Sequence, residues 1–243
     1  MKDFLQDLVA HTQSLGFLPT VRISATADET TIDSLAEDRS VILNAKTHSP
    51  IGNFDGVFGM PNLNKLDIHL KCPEYKENAT IKVVTQNRNG EDIPTGLHFQ
   101  NNTGDFENDY RFMSTEVINE KLKTVKFKGT KWDIEFTPTV ASIQKLKFQS
   151  AAHTEEQTFQ VSSDNGSLIF SFGDASTHAG SFVFHSGVTG KLKQTWSWPV
   201  SQVQSILNLS GDITMKIADV GAMMITVDSG ITAYDYILPA QSK

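Results

Sequence analysis

The stretch Gly187-Val188-Thr189-Gly190-Lys191 invites comparison with a phosphate-binding loop, in which backbone N–H groups cradle phosphates and a lysine reaches the terminal one. The spacing from glycine to Gly-Lys is too short, and Leu192 stands where a Ser or Thr hydroxyl is required, so a hairpin turn is expected instead. His11, His48, His98, His153, His178 and His185 are scattered, with no His-Glu-x-x-His or other metal spacing. Asp105, Glu107 and Asp109 alternate in an Asn/Gly-rich stretch but lack the glycine and closing glutamate of a calcium loop, so a solvated loop is expected. Cys72 ends an apolar-periodic segment with no histidine and acid nearby in sequence, the setting of a structural thiol. Four Asn-x-Ser/Thr triplets, beginning at Asn78, Asn101, Asn165 and Asn208, carry no meaning without an export signal. These residues supply no nucleophile, acid–base pair or cofactor loop. The expectation is a non-enzymatic protein with no cofactor and no metal.

The elements that carry these residues belong to an ordinary globular composition: 243 residues, 39% hydrophobic and 20% charged, with a net charge of -7. At roughly 150 residues per domain this allows one or two domains. A single cysteine leaves packing to hold the fold, as in a reducing cytoplasm. Met1 to Gly16 has Lys2 as its only positive charge and Asp3 and Asp7 inside its apolar pattern, which does not read as a signal peptide. No run approaches the roughly 18 apolar residues of a membrane span. The acidity argues against a general nucleic-acid coat and leaves room for a local basic surface.

Most of the chain alternates with period two. Ser40 to Lys46, Ala79 to Gln86, Tyr110 to Met113, Val125 to Thr137, Thr158 to Ser163, Ser167 to Phe172, Gly180 to His185, Leu192 to Trp198, Asp212 to Lys216 and Met223 to Val227 read as strands. Asn89-Gly90, Asp164-Asn165-Gly166 and Ser210-Gly211-Asp212 supply turn chemistry. Four segments read instead as amphipathic helices. Lys2 to Leu15 presents Phe4, Leu5, Leu8, Val9 and Leu15, and Pro61 to Leu70 presents Leu63, Leu66 and Leu70. Pro138 to His153 presents Val140, Ile143, Leu146 and Ser150, and Pro199 to Leu209 presents Val200, Val203, Ile206 and Leu207. Three of them open with a proline, placed by this reading at the first helical position. Lys2 lies 59 residues before Pro61, and Pro138 lies 61 before Pro199, so one helix–strands–helix–strands unit is written twice, unless the spacing recurs by chance. Glu116 to Lys123, of mixed charge and weak periodicity, suits a connector.

Charge is distributed unevenly over these elements. Taken as Met1 to Leu15, Met60 to Cys72, Pro138 to His153 and Pro199 to Leu209, the four helical segments hold Lys2, Lys65, Lys71, Lys145 and Lys147 against Asp3, Asp7 and Asp67, a balance of +2 that leaves -9 for the rest. The two helices of the second half contain no Asp or Glu. Such faces are either solvated coverings of a sheet or surfaces that touch phosphates without gripping them.

On three stretches the chain resembles a DNA polymerase sliding clamp, the processivity factor of the T-even-type tailed-phage family, a distant relative of proliferating cell nuclear antigen. They are the opening helix Lys2 to Leu15, the turn Asn53-Phe54-Asp55-Gly56-Val57-Phe58-Gly59 before the second helix, and the closing Tyr234-Asp235-Tyr236-Ile237-Leu238-Pro239-Ala240. The resemblance implies an α+β fold of two tandem clamp-type domains, 1–120 and 121–243 with a connector about 114–126. It also implies mostly antiparallel sheet outside, two short helices per domain inside, and a head-to-tail trimeric ring around duplex DNA. The implied role is to tether a replicative polymerase after loading by an ATP-dependent clamp loader, in the cytoplasm of an infected bacterial host, with no membrane partner.

By position, the resemblance assigns Lys2, Lys65, His69, Lys71, Lys145 and Lys147 to the DNA-facing surface, with contacts that ignore sequence. The fourth helix offers only neutral Gln, Ser and Asn. The resemblance also implies a groove between the domains for C-terminal peptides of the polymerase and the clamp loader, at Ile237, Leu238, Pro239 and Ala240, although Ile237 and Leu238 equally suit the end of a core strand. Two competing readings are a β-rich structural virion protein of tail or baseplate type and a hydrolase whose site residues are dispersed in sequence.

Overall fold

Val21-Arg22-Ile23-Ser24-Ala25 shows how this sequence makes sheet: every second residue is buried, and the residues between are polar and half-exposed. A computed structural model of the chain describes residues 1–88, 90–122, 127–176 and 178–241, and among them five α-helices and fifteen strands. The chain divides into two units, Met1–Lys126 with Ser229–Tyr234, and Phe127–Asp228 with Asp235–Lys243.

The first unit opens with α1 (Lys2–His11) and a 3-10 turn at Gln13–Leu15, followed by β1 (Val21–Ala25), β2 (Thr30–Leu35), β3 (Ile42–Thr47) and β4 (Gly56–Met60). Then come α2 (Leu63–Lys71), β5 (Thr80–Arg88), β6 (Glu91–Gln100), β7 (Glu107–Arg111) and α3 (Thr115–Lys121). The strands pair antiparallel in the order β4-β1-β2-β3 and, separately, β5-β6-β7. Phe4, Leu5 and Leu8 of α1 and Leu63 and Leu66 of α2 are buried with Ile23, Ile32 and Leu43 of the sheet. Each such side chain contributes about 1.5–3 kcal/mol by leaving water.

The second unit runs β8 (Ile134–Phe136), α4 (Val140–Ala152), β9 (Thr158–Asp164), β10 (Ser167–Phe172), β11 (Gly180–Ser186), β12 (Trp196–Pro199), α5 (Val200–Leu207), β13 (Asp212–Ala218), β14 (Ala222–Asp228) and β15 (Thr232–Pro239), whose first residues count with the first unit. Its first sheet has the order β12-β9-β10-β11, and β13 pairs with both β14 and β8. Phe159, Phe170, Phe172 and Phe184 fill the core of this sheet, with Phe170 and Phe184 stacked 4.1 Å apart.

The duplication is therefore visible strand by strand, since β4-β1-β2-β3 and β12-β9-β10-β11 are the same arrangement. Smaller features repeat with it. The first N–H of α2 donates to Pro19 O at 3.0 Å and that of α5 to Gln157 O at 3.0 Å, in each case the carbonyl of a residue just before the strand that follows the unit's first helix. Gly59 of β4 bridges to Met113, just after β7, and Ser197 of β12 bridges to Gln241, just after β15. At the end of each unit's first helix a histidine places Nδ1 against a backbone carbonyl four residues back, His11 at Asp7 O and His153 at Gln149 O.

Several sequence expectations are corrected. The prolines do not occupy the first helical position: Pro199 is the N-cap of α5, while Asn62 and Thr139 cap α2 and α4, one residue after Pro61 and Pro138. Thr139 Oγ1 accepts from Ser142 N at 3.1 Å, so a side-chain cap, not the proline, starts α4. Val140 is 76% exposed, and the buried face of α4 is Ser142 and Leu146, with Ile143 and Ser150 half-buried. The connector segment Glu116 to Lys123 overlaps α3 (Thr115–Lys121), whose Ile118 is buried; Lys123 lies outside the described residues. Of the strand Val125 to Thr137 only Ile134–Phe136 is strand, and 125 and 126 lie outside the described residues, as does Asn89 of the Asn89-Gly90 turn. Gly187 to Lys191 is no hairpin turn, because the strands it joins, β11 and β12, lie at opposite edges of their sheet. Gly190 instead lies against the backbone carbonyl of Asp133, leaving no room for a Cβ. Glu107 and Asp109 belong to β7, not to a loop, and flank His98 of β6.

Candidate nucleic-acid interface

The charged residues of the helices divide by what they touch. Lys2 Nζ donates to the carbonyls of Tyr75 at 2.9 Å and Lys76 at 3.0 Å, which ties the start of α1 to the segment after α2. Lys71 pairs with Asp67 at 2.6 Å one turn back, so each cancels the other's charge on the face of α2. His69 is half-buried with its ring 5.2 Å from Phe99. Burial first, and the charge of Lys65 second, push its pKa below the ordinary 6.5, so the imidazole is neutral at pH 7. Among the described residues, the side chains of Lys65, Lys145 and Lys147 make no hydrogen bond or ion pair, and Lys65 and Lys145 are exposed.

Asp7 leaves the outward face of α1 altogether. Its carboxylate is held by Tyr234 and His11 in the first unit, and its side chain is 9% exposed. Asp3 is then the acid that α1 shows to solvent. Between α1 and α2 lies a groove of about 420 Å³ edged by Gln6, Gln13, Asp67 and Lys71 with Val9 and Leu70 at its floor.

At the second candidate site, Ile237 and Leu238 follow the core-strand reading of the closing motif. Ile237 is 4% and Leu238 0% exposed, so both side chains finish a core strand. Leu238 O accepts the indole N–H of Trp198 at 3.1 Å. Pro239 is exposed and Ala240 half-exposed, leaving these two of the four open to a partner. Sequence reading misses a groove of about 560 Å³ in the first unit, lined by Val57, Ile93, Pro94, Phe112, Met113 and Thr115, because its walls come from strands and turns far apart in sequence. Among the described residues no group of three or more His, Cys, Asp or Glu side chains is arranged to hold a metal ion, and no helix is long and apolar enough to cross a membrane.

This architecture, an α+β chain of antiparallel sheets and short helices with the same strand order in both units, is the PCNA-type clamp fold. Over 100% of this chain and 95% of the other, it is similar to A. fulgidus PCNA in a structure with the C-terminal region of FEN-1 bound, with a TM-score of 0.69 at 10% sequence identity. PCNA from Thermococcus kodakaraensis is similar over 99% of this chain and 97% of its own, with a TM-score of 0.66 at 9% identity. No family model matches the sequence, and no curated protein does.

Proposed function

We propose that the chain is a sliding clamp: a non-enzymatic ring that encloses duplex DNA without reading its sequence and tethers a replicative DNA polymerase. The observation that carries this reading is the clamp fold over the whole chain. Three copies, each of two tandem domains at 1–120 and 121–243, close head to tail, a contact whose rotation generates a ring. The strands β7 and β11 end their sheets among the described residues and offer edges for such a contact.

The cationic residues suit enclosure better than grip. A ring that slides needs weak, salt-sensitive phosphate contacts and no contacts to base edges. Lys65, Lys145 and Lys147 are the free cations for that role. Lys2, His69 and Lys71 lie on the same helices with their charge already committed or absent, so their part is secondary. Pro239 and Ala240 form the exposed end of the docking site for C-terminal peptides of the polymerase and of an ATP-dependent loader. FEN-1 is the partner on A. fulgidus PCNA, and it supports peptide docking as a mode for this fold. The phage lineage and the infected bacterial cytoplasm rest on the resemblance of the opening helix Lys2 to Leu15, the turn Asn53 to Gly59 and the closing motif Tyr234 to Ala240, and belong to the same proposal.

Electron microscopy of the purified protein tests the assembly, and a six-lobed annulus with a central opening is expected. Primer extension with polymerase, loader and ATP tests the role, and longer products are expected when the chain is added. A monomer that leaves product length unchanged would refute the reading in favour of a structural virion component.

A further inference from the structure

Lys65-Leu66-Asp67-Ile68 in α2 and Lys145-Leu146-Lys147-Phe148 in α4 share one pattern. In each, a leucine that is 0% exposed anchors the helix, while the lysine before it and the apolar residue after it stand one turn apart on the solvent side. Ile68 is 59% exposed and Phe148 71%, and Val140 at 76% continues the face of α4. A single exposed apolar side chain is ordinary on any protein surface. Here the same relation to an unpaired lysine occurs in both units, and α4 has no carboxylate to make its face merely soluble.

We infer that Ile68 and Phe148 are non-ionic contacts to the sugar edge of duplex DNA, an inference that rests on the clamp reading. The polyanion is the occupant that the charge of these faces selects, since the lysines lie on acid-poor helices in a chain of net charge -7. Along a duplex, phosphates are separated by the carbon edge of deoxyribose. A face that sets an ammonium one helical turn from a hydrocarbon matches that alternation and reads no base. The two kinds of contact differ in salt dependence: displacing counterions makes the lysine contacts weaken with salt, whereas burial of hydrocarbon releases no counterions and adds nothing to that loss.

The test is fluorescence anisotropy with a short blunt-ended duplex, which enters a ring by its open ends without a loader, read over a series of salt concentrations. Phe148→Ala and Ile68→Ala are expected to lower affinity by about three- to tenfold at every salt concentration, leaving the slope of log K against log salt unchanged. Lys145→Gln and Lys147→Gln are expected to flatten that slope by about 0.9 for each phosphate no longer neutralised. All four positions are outside the core, and thermal melts check that each variant folds as the parent does. If the apolar variants bind as the parent does while the lysine variants flatten the slope, the inference fails and the clamp reading stands. The inference also fails, with the clamp reading intact, if Phe148→Ala changes the slope, or if it leaves DNA binding unaltered and weakens only binding of a polymerase peptide. If the parent binds no duplex at any salt concentration and forms no annulus, the clamp reading falls and the inference with it.

Discussion

Tyr234 donates its phenolic hydroxyl to Asp7 Oδ2 at 2.8 Å, joining residues 227 positions apart in the chain, and stacks its ring on His11 at 4.6 Å and 8°. His11 Nδ1 lies 3.1 Å from the other carboxylate oxygen, Oδ1 of Asp7. The opening helix of the first unit is thereby fixed to the last segment of sequence that belongs to it. Burial alone would push the carboxyl of Asp7 up. The hydrogen bonds from His11 and Tyr234, the charge of His11 and the hydroxyl of Ser229 together outweigh it and hold the pKa below the ordinary 3.8.

The sign of the pH effect follows from that direction. A carboxyl whose folded pKa is depressed stabilises the fold fully above its unfolded value, and the contribution is lost as pH falls from 3.8 through the lowered value. Asp7→Asn is expected to cost about 1–3 kcal/mol at pH 7 and Tyr234→Phe about 0.5–1.5 kcal/mol. Urea titrations between pH 7 and 3 check both, and the Asn variant should lose stability less steeply on the acid side than the parent.

Replacing Lys65, Lys145 and Lys147 together by Glu reverses the three unpaired cations without touching the core. Polymerase stimulation at moderate salt is expected to fall by at least about tenfold, since three contacts that attract phosphate become contacts that repel it. Sedimentation should show the parent's oligomer. Full stimulation by the triple variant would remove these helices from the DNA-facing surface.

Truncation after Tyr236 removes the buried Ile237 and Leu238 and the carbonyl that satisfies Trp198. Shortening either side chain alone to Ala costs about 2–5 kcal/mol, so the truncated second unit is expected to unfold, as near-ultraviolet circular dichroism would show. The variant that isolates docking is Pro239→Ser, at an exposed residue. It should melt as the parent does and weaken binding of a polymerase C-terminal peptide by about 1 kcal/mol in calorimetry.

Gly59 owes its identity to Ile118. A Cβ on Gly59 would lie 2.9 Å from three side-chain carbons of Ile118, the residue that seats α3. Gly59→Ala is expected to destabilise by about 1–3 kcal/mol. Ile118→Ala in the same chain should recover part of that loss, giving a coupling of about 0.5–3 kcal/mol in a double-mutant cycle. Strictly additive losses would show that α3 is held by Thr115 and Lys121 instead, through their hydrogen bonds to Val57 O and Thr20 Oγ1.

Three of the helices can be read from sequence side chain by side chain. Phe4, Leu5, Leu8 and Val9, then Leu63, Leu66 and Leu70, then Val200, Val203, Ile206 and Leu207 are the buried residues that period 3.6 selects. Periodicity misphases the face of α4 because its apolar residues lie on both sides: Val140 and Phe148 face outward, and small Ser142 is buried beside its cap, Thr139. Pro94 and Gly96, residue types uncommon inside a strand, hide the strand Glu91–Gln100. A register shift between Val84 and Thr85 accommodates the proline, and Gly96 is required where Tyr110 O approaches. The site lysines are legible by type, yet their availability is not. The Lys71–Asp67 pair has an i,i+4 spacing that sequence displays, whereas the capture of Lys2 by carbonyls at Tyr75 and Lys76 depends on tertiary approach.

The unpaired state of Lys65 and Lys145 bears on friction. An ammonium on a four-carbon stem that no carboxylate detains reorients in picoseconds to nanoseconds. No carboxylate competes for it as it passes from one phosphate to the next, so for a ring of the proposed kind these helices act as a bearing.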